Sequence, residues 1–447
     1  MDRQKSEGEI NRRQFMRSGA AVSAGLLFSP MVVAQTETAA KGDDINLAII
    51  GAGDQGRVLL EAAVKIPGIR FKALCDIWVE YNQKNQARFL KAYKQEPTTY
   101  VDYQEMLDKE KDLQAVIIAT PDFWHSEQAI ACLKKGLHVY CEKEMSNTLE
   151  GAKKMVQAAK ETGKLLQIGH QRRSNPRYIH CYEKLMKEAR ILGRVTTVNG
   201  QWNRAVRPSS GFPKTAVMEQ SRLEKYGFKS MEQFRNWRWF KGLGGGAIVD
   251  LGSHQIDIYN WFLEAQPKSI VAVGGTDYYD KKDHEWYDTV MAVYTYEIPK
   301  GVVRAFYQTI TTNSNQGYFE SFMGDEATLM ISESSSRGAV YREQTAPDWD
   351  KWVKLGYLKE PKKEEPKKDA AGDVRETVAP PAYELPVEFK DLYHKPHLEN
   401  FFNAIRGKEK LNCPAEVGYE TAVTVLKVNE AVEAGCKIEF KPEEFKI

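Results

Sequence analysis

Three groups of residues in this chain have the types and spacing that chemistry requires. Asp250 and His254 lie four apart in GLGGGAIVDLGSHQIDIYNWFL, so on a helix both side chains share one face. A carboxylate with an imidazole at the mouth of a helix, behind the flexible glycine run 244–246, suggests acid–base chemistry. A lone histidine in such a stretch is usually a satisfied core residue; the paired acid and the glycines favour function here. Lys143 is the second group. It follows the apolar run 137–141 and sits next to Glu142. Most lysines are solvated, but one directly after a buried strand stands where ligands bind in open α/β sheets. The third group is Gly51, Gly53 and Gly56 in IIGAGDQG, which fits G-x-G-x-x-G between a short apolar strand and the helix RVLLEAAVKI. The first glycine permits a tight turn, the second lets backbone approach a pyrophosphate, and the third lets helix pack on strand. The helix N-terminus then offers free N–H groups to the phosphates. Asp76 ends the next strand, 20 residues past Gly56, where a carboxylate can grip a ribose 2′-hydroxyl. An acid there repels a 2′-phosphate, so NAD is favoured over NADP.

These groups need elements to hold them. Apolar runs at 45–50, 70–75, 113–119, 137–141 and 164–169 alternate with helical stretches. That βαβ repetition describes a doubly wound α/β domain of Rossmann type, spanning 44–169. Its loops supply the cofactor contacts: Asp54 and Gln55 in the glycine turn, Thr120, Pro121 and Trp124 at the carboxyl end of the strand 113–119, and Glu142 with Lys143 after the next. His125 opens the following helix and either caps or stacks near the cofactor or takes part in chemistry.

A second domain, 170–395, follows. Arg172 and Arg173 occur where the chain turns toward the cleft. Arginine forks suit the hydroxyls and carboxylates of a substrate, and interdomain salt bridges serve them equally well. Residues 203–241 form an irregular insert rich in aromatics. Trp202, Trp237 or Trp239 could stack on a sugar ring, or fill the core. Alternating, turn-punctuated runs between 269 and 332 are material for a large, mostly antiparallel sheet, making this domain α+β. The tract 359–376, rich in Lys, Glu and Pro, is a solvated loop. Helices over 396–447 pack back on the core.

Ahead of the first strand, Arg12 and Arg13 precede a weakly apolar stretch ending in small residues near Ala34. This fits a twin-arginine export signal over 1–34, hence a periplasmic protein. A membrane anchor is the rival, but the apolar stretch is short and interrupted. Net charge is +2 with 42% hydrophobic residues, so nothing directs the chain to nucleic acid or, once the signal is removed, to a membrane. The six cysteines have no metal-ligand spacing, no carboxylate cluster suggests a metal, and buried free thiols are expected.

At GAGDQG, Asp76, TPDFWH, GLHVYCEK and GGGAIVDLGSH the chain resembles the Gfo/Idh/MocA oxidoreductases over essentially its whole mature length. The resemblance implies hydride exchange between nicotinamide and a carbon of a sugar or polyol. It implies that Lys143 polarises the reacting oxygen, His254 takes its proton and Asp250 fixes a neighbouring hydroxyl. The family's E-K-P motif reads EKEM here, with Glu144 replacing proline, which is expected to loosen the strand end and add charge near the site. Oxidation at C3 of a glucoside is the first candidate reaction. A redox-assisted glycosidase is the alternative, and a non-catalytic sugar sensor a third. Export of a folded chain further implies a tightly held NAD, and the second sheet implies a homo-oligomer, dimer or tetramer.

Overall fold

The computed structural model describes residues 44–334, 336–361 and 381–447. The export signal lies outside them, as does most of the tract 359–376. Apolar runs form a six-stranded parallel sheet from β1 (Ile45–Ile50), β2 (Ile69–Cys75), β3 (Thr98–Tyr100), β4 (Ala115–Ile118), β5 (His138–Cys141) and β6 (Leu166–Ile168), in the order β3-β2-β1-β4-β5-β6. Every pairing is parallel. Parallel strands are covered on both faces, and β1 and β4 are almost wholly buried. The order reverses between β1 and β4. The crevice at the carboxyl ends of those strands is where ligands of such sheets bind. It is edged by Gly51 on one side and Thr120 on the other.

The second sheet has nine strands: β7 (Val195–Asn203), β8 (Pro267–Gly275), β9 (Thr289–Ile298), β10 (Gly301–Ile310), β11 (Tyr318–Gly324), β12 (Ala327–Ile331), β13 (Gly338–Arg342), β14 (Ala382–Glu384) and β15 (Ile438–Glu439). Their order is β14-β13-β12-β11-β7-β10-β9-β8-β15. All pairings are antiparallel except β7 with β10. The alternation read in the sequence appears as alternating burial in β8, β9 and β10. The buried face meets the helices Ser253–Leu263 and Ala415–Ala434. The C-terminal stretch is not helical throughout, since β15 pairs with β8.

One continuous core joins Val116 and Ile118 of the first sheet to Tyr294, Val303 and Tyr307 of the second. The insert has a smaller core of its own, in which Met218, Leu223, Phe228 and Met231 close over Trp78. Trp78 donates its indole N–H to the carbonyl of Ala216 at 2.5 Å, and Trp124 donates to that of Tyr226 at 3.2 Å. The insert is thus anchored at the carboxyl edge of the first sheet, to the loop after β2 and to the first turn of the helix Asp122–Lys134. Cys75, Cys132, Cys141, Cys181 and Cys413 are buried free thiols; Cys436 is free but exposed, a departure from the expectation. No helix among the described residues is long and apolar enough to cross a membrane.

Candidate active site

A cavity of about 660 Å³ runs from the glycine turn to the ends of β7 and β10. At one end the three glycines have three different reasons to be glycine. Gly51 has φ +88°, and a Cβ there would lie 2.6 Å from the carbonyl of Ala119. A Cβ on Gly56 would lie 2.1 Å from the Gly51 oxygen, so only glycine lets the helix Asp54–Ala63 settle on the turn. A Cβ on Gly53 would meet nothing closer than the Asn82 amide at 3.5 Å. Gly53 lines the cavity and Gly56 does not, so the space above Gly53 is open to a ligand. Asp76 receives the N–H groups of Ala52 and Trp78, each at 2.7 Å, and the Asn82 amide at 3.3 Å. Burial pushes its carboxyl up to about 6 while these donors pull the other way, leaving it mostly ionised at pH 7. An open cradle at a helix N-terminus, with a fixed carboxylate beside it, fits the pyrophosphate and ribose of NAD.

Gln55, Thr120, Pro121, Trp124 and Glu142 also line the cavity. Gln55 donates to Glu142 at 3.1 Å and contacts His394 at 3.0 Å. Asp54 lies at the open mouth, with its carboxylate 3.5 Å from Arg235. His125 is different. It is buried away from the cavity, its ring bridging the carbonyls of Thr120 and Glu144 at 2.7 Å each. It ties the loop after β4 to the end of β5 and does not line the cavity.

At the other end Lys143, just past β5, reaches across to the turn that carries Asp250. Its ammonium donates to the Asp250 carbonyl and to Oδ1 at 3.3 Å. Asp250 lies in a π-helical turn, Ile248–Gly252, that leads into the helix bearing His254. Such turns recur at functional sites. Arg238 donates to the same Oδ1 at 2.9 Å, and Arg204 stands 3.8 Å from Oδ2. Burial alone would raise the Asp250 carboxyl; Arg238, Lys143 and Arg204 outweigh it and hold it well below the usual range. His254 is nearly buried and lines the cavity. Burial first, then Lys143 and Arg172, drive its pKa well below the ordinary histidine value, so the ring is neutral at pH 7. It packs against Trp202 at a centroid distance of 5.4 Å, and Trp202 stacks on Tyr318 at 4.5 Å. Trp237 lines the same wall, with Arg238 over its ring at 4.4 Å.

Two expected substrate contacts fall elsewhere. Arg172 is 1% exposed and ion-pairs with Glu320 and, at 3.0 Å, with Glu333. Arg173 pairs with Asp257 at 2.8 Å. Neither lines the cavity. Buried guanidinium groups need acceptors, and these carboxylates supply them, although Arg172 Nη2 has no hydrogen-bond partner among the described residues. Arg172 reaches the site through groups that line it, lying over the rings of Trp202 and Tyr318 at 5.5 Å each and pairing with Glu333. Glu144 also departs from expectation. It is 1% exposed, accepts the Met145 N–H at 2.8 Å, and burial raises its carboxyl to about 8. At neutral pH it is mostly protonated and adds little charge.

Sequence reasoning did not single out Arg204, Arg238, Tyr393 and His394 as part of the site, although all line it. Asp122, within TPDFWH, was not singled out either. It lines the cavity, and burial raises it to about 7 against the pull of Lys143 and Arg238. Its position at the carboxyl end of β4 was a usable signal. The two arginines come from an aperiodic insert and its border, and nothing local marks them.

Comparison with known proteins agrees with the fold. The family model for the oxidoreductase family with an NAD-binding Rossmann fold matches residues 45–170, and that for the GFO/IDH/MocA C-terminal domain matches 184–330. A glycosyl hydrolase family 109 protein of Shewanella putrefaciens is 28% identical over 176 residues, covering 35% of this chain and 38% of the relative. The 1,5-anhydro-D-fructose reductase of Ensifer adhaerens is 29% identical over 226 residues, covering 51% of this chain and 59% of the relative. The chain therefore matches less than two thirds of either relative's length. Among solved structures, levoglucosan dehydrogenase in complex with NADH superposes with a TM-score of 0.64 at 17% identity, over 89% of this chain and 99% of that one. At that identity the likeness is one of fold.

Proposed function

This chain belongs to the Gfo/Idh/MocA family of NAD-binding oxidoreductases, and we propose that it moves a hydride between nicotinamide and a ring hydroxyl of a sugar or glycoside. One observation carries the reading: a lysine clasped to Asp250 and a neutral, buried His254 share one cavity with the dinucleotide cradle. When bound, NAD supplies the hydride acceptor. The protein's task is to hold the hydroxyl and move its proton. The Lys143 ammonium, two of whose donor directions go to Asp250, keeps one for the substrate oxygen. Neutral His254 takes the proton, and burial of both groups strengthens the polarisation. Asp250, held ionised, orients Lys143 and accepts from a neighbouring hydroxyl. Trp202 and Trp237 offer apolar faces to the ring.

C3 oxidation of a glucoside is the finer form of this reading. A glycosidase using oxidation, elimination, hydration and re-reduction is a second, favoured by the likeness to a glycosyl hydrolase family 109 protein. We also propose export through Arg12-Arg13, a tightly held NAD, and a homo-oligomer formed on the open face of the second sheet. On that face Val271 pairs with Val293 and Val273 with Met291, all exposed. Mass spectrometry of products from a panel of glucosides, galactosides and inositols tests the reaction. A ketoglycoside indicates the dehydrogenase, a free sugar without net NADH the glycosidase, and neither product from any member refutes both. Nucleotide released by denaturing the purified protein tests retention; an empty site with activity dependent on added NAD refutes it.

A further inference from the structure

The cavity holds more positive charge beside the reacting centre than its own acids neutralise. Lys143, Arg204 and Arg238 converge on Asp250 at 3.3, 3.8 and 2.9 Å, so one carboxylate faces three cations. Lys143 and Arg238 hydrogen-bond to it. Arg204 does not: its ion pair with Asp250 is too long for a hydrogen bond, and its guanidinium makes no hydrogen bond among the described residues. Arg207 also lines the cavity, with a side chain that makes no hydrogen bond among the described residues.

The remaining acids of the cavity are engaged elsewhere. Glu142 receives Gln55, Glu333 receives Gln171 and Arg172, and Asp54 lies beside Arg235. Asp76 receives Ala52 and Trp78 at the ribose end. Asp122 is half-protonated near neutral pH. Arg204 is nonetheless held firmly. It directly follows β7, its head lies over Trp202 at 5.3 Å, and Trp202 packs on His254. Burial and the repulsion of Arg207 and Arg238 disfavour its charge more than Asp250 favours it. Arg204 is half-buried, and its one carboxylate neighbour, Asp250, is already hydrogen-bonded to Lys143 and Arg238; a guanidinium so placed gains from an anion that a ligand brings. The cofactor's phosphates are served from the other end, where Arg235 faces the glycine turn.

We propose that the sugar carries an acidic group, a carboxylate or a phosphate, which Arg204 receives as a two-pronged donor with Arg207 at its outer side. This rests on the sugar-oxidoreductase reading and narrows it to acidic sugars.

The test uses the NAD-loaded protein and reads binding separately from turnover. Binding is followed by quenching of Trp202 and Trp237 fluorescence with methyl glucoside, methyl glucuronide and glucose 6-phosphate. At least one acidic sugar is expected to bind about 10- to 100-fold more tightly than the neutral one. The arm that wins distinguishes carboxylate from phosphate. Arg204→Gln is expected to erase most of that preference, and Arg204→Lys to retain part of it. Equal or better binding of methyl glucoside overturns the proposal, as does a preference that survives Arg204→Gln. Loss of bound NAD in Arg204→Gln also overturns it, because the charge would then belong to the cofactor. Arg204-dependent binding of an acid with no NADH formed from any sugar supports the proposal while refuting the reaction. Oxidation of neutral sugars with acids ignored does the reverse.

Discussion

Alanine at Gly53 and alanine at Gly56 should fail in opposite ways. Gly53 has φ −71° and ψ −157°, a conformation any residue adopts, and its added Cβ meets only Asn82 at 3.5 Å. Relative to glycine, alanine shrinks unfolded-state entropy, a gain of about 0.4–1 kcal/mol. It is also the poorer helix N-cap, a loss of similar size, roughly 0.5–1 kcal/mol. The two offset, so Gly53→Ala should change unfolding free energy by less than ~1 kcal/mol. The methyl instead enters the space above the helix N-terminus. Crowding there costs about 1–3 kcal/mol, or roughly 5- to 150-fold in NAD affinity. Gly56→Ala puts a Cβ 2.1 Å from the Gly51 oxygen and 3.0 Å from its carbonyl carbon. Both are backbone, so turn and helix must part, and stability should fall by at least ~1–3 kcal/mol. Urea unfolding of NAD-stripped protein and calorimetric titration with NAD separate the two quantities. Unchanged NAD affinity in Gly53→Ala would refute the cradle, and equal destabilisation by both variants would refute the distinction between them.

Other outcomes follow from the same geometry. His254→Ala should lower kcat on a verified substrate by about 100-fold or more with NAD still bound, and Lys143→Met should behave alike; near-wild-type rates in steady-state assays would remove them from the chemistry. Because His254 titrates well below its ordinary value, the acid limb of kcat/KM assigned to it should lie below pH 6.5, and a pH–rate profile that falls between 8 and 6.5 contradicts a neutral base. Asp76→Ala should weaken NAD and relax discrimination against NADP, as read by paired titrations; an unchanged preference ends the ribose assignment. Glu144 binds its proton more tightly folded than unfolded, with a native pKa of about 8 against an ordinary 4.5. Its stabilising effect is therefore complete below pH 4.5 and is lost as pH rises through 8. Glu144→Gln should gain stability relative to wild type across that window, and parallel denaturation curves at pH 5 and pH 9 would show that the carboxyl is not buried as described.

The parts of the site legible in sequence are those whose reasons are local. The glycine turn, Asp76, Lys143, Asp250 and His254 each sit at the end or start of a regular element, within a few residues of the pattern that marks them. The two sheets were legible for the same reason, since period and apolar runs are short-range signals. What escaped depends on contacts across long stretches of chain. Arg172 meets Glu320 and Glu333 about 150 residues away, and no motif announces that partnership, so a guanidinium near the cleft looked equally suited to a substrate. Arg204 and Arg238 border or belong to an insert whose order comes from packing over Trp78, not from any period. Glu144 stood out as a broken motif, but its charge state depends on burial, which sequence does not report. The π-helical turn at Asp250 was read as ordinary helix because its hydrogen-bond register leaves no compositional mark.

The buried arginines after β6 also bear on how such a chain can be cut and recombined. Residue 170 looks like a seam between a nucleotide-binding half and a sugar-binding half. Just past that seam Arg172 pairs with Glu320 and Glu333, and Arg173 with Asp257; Arg172 and the three carboxylates are buried, and Arg173 is nearly so. Removing one side of a buried ion pair costs about 3–5 kcal/mol, on the scale of a typical domain's whole stability. A chimera joined at residue 170 keeps the arginines with the downstream half, where their carboxylates reside. A crossover just after residue 173 that brings in a foreign first half strands three acids in the interior. The workable junction lies ahead of Gln171, and the cofactor half becomes interchangeable only when cut there.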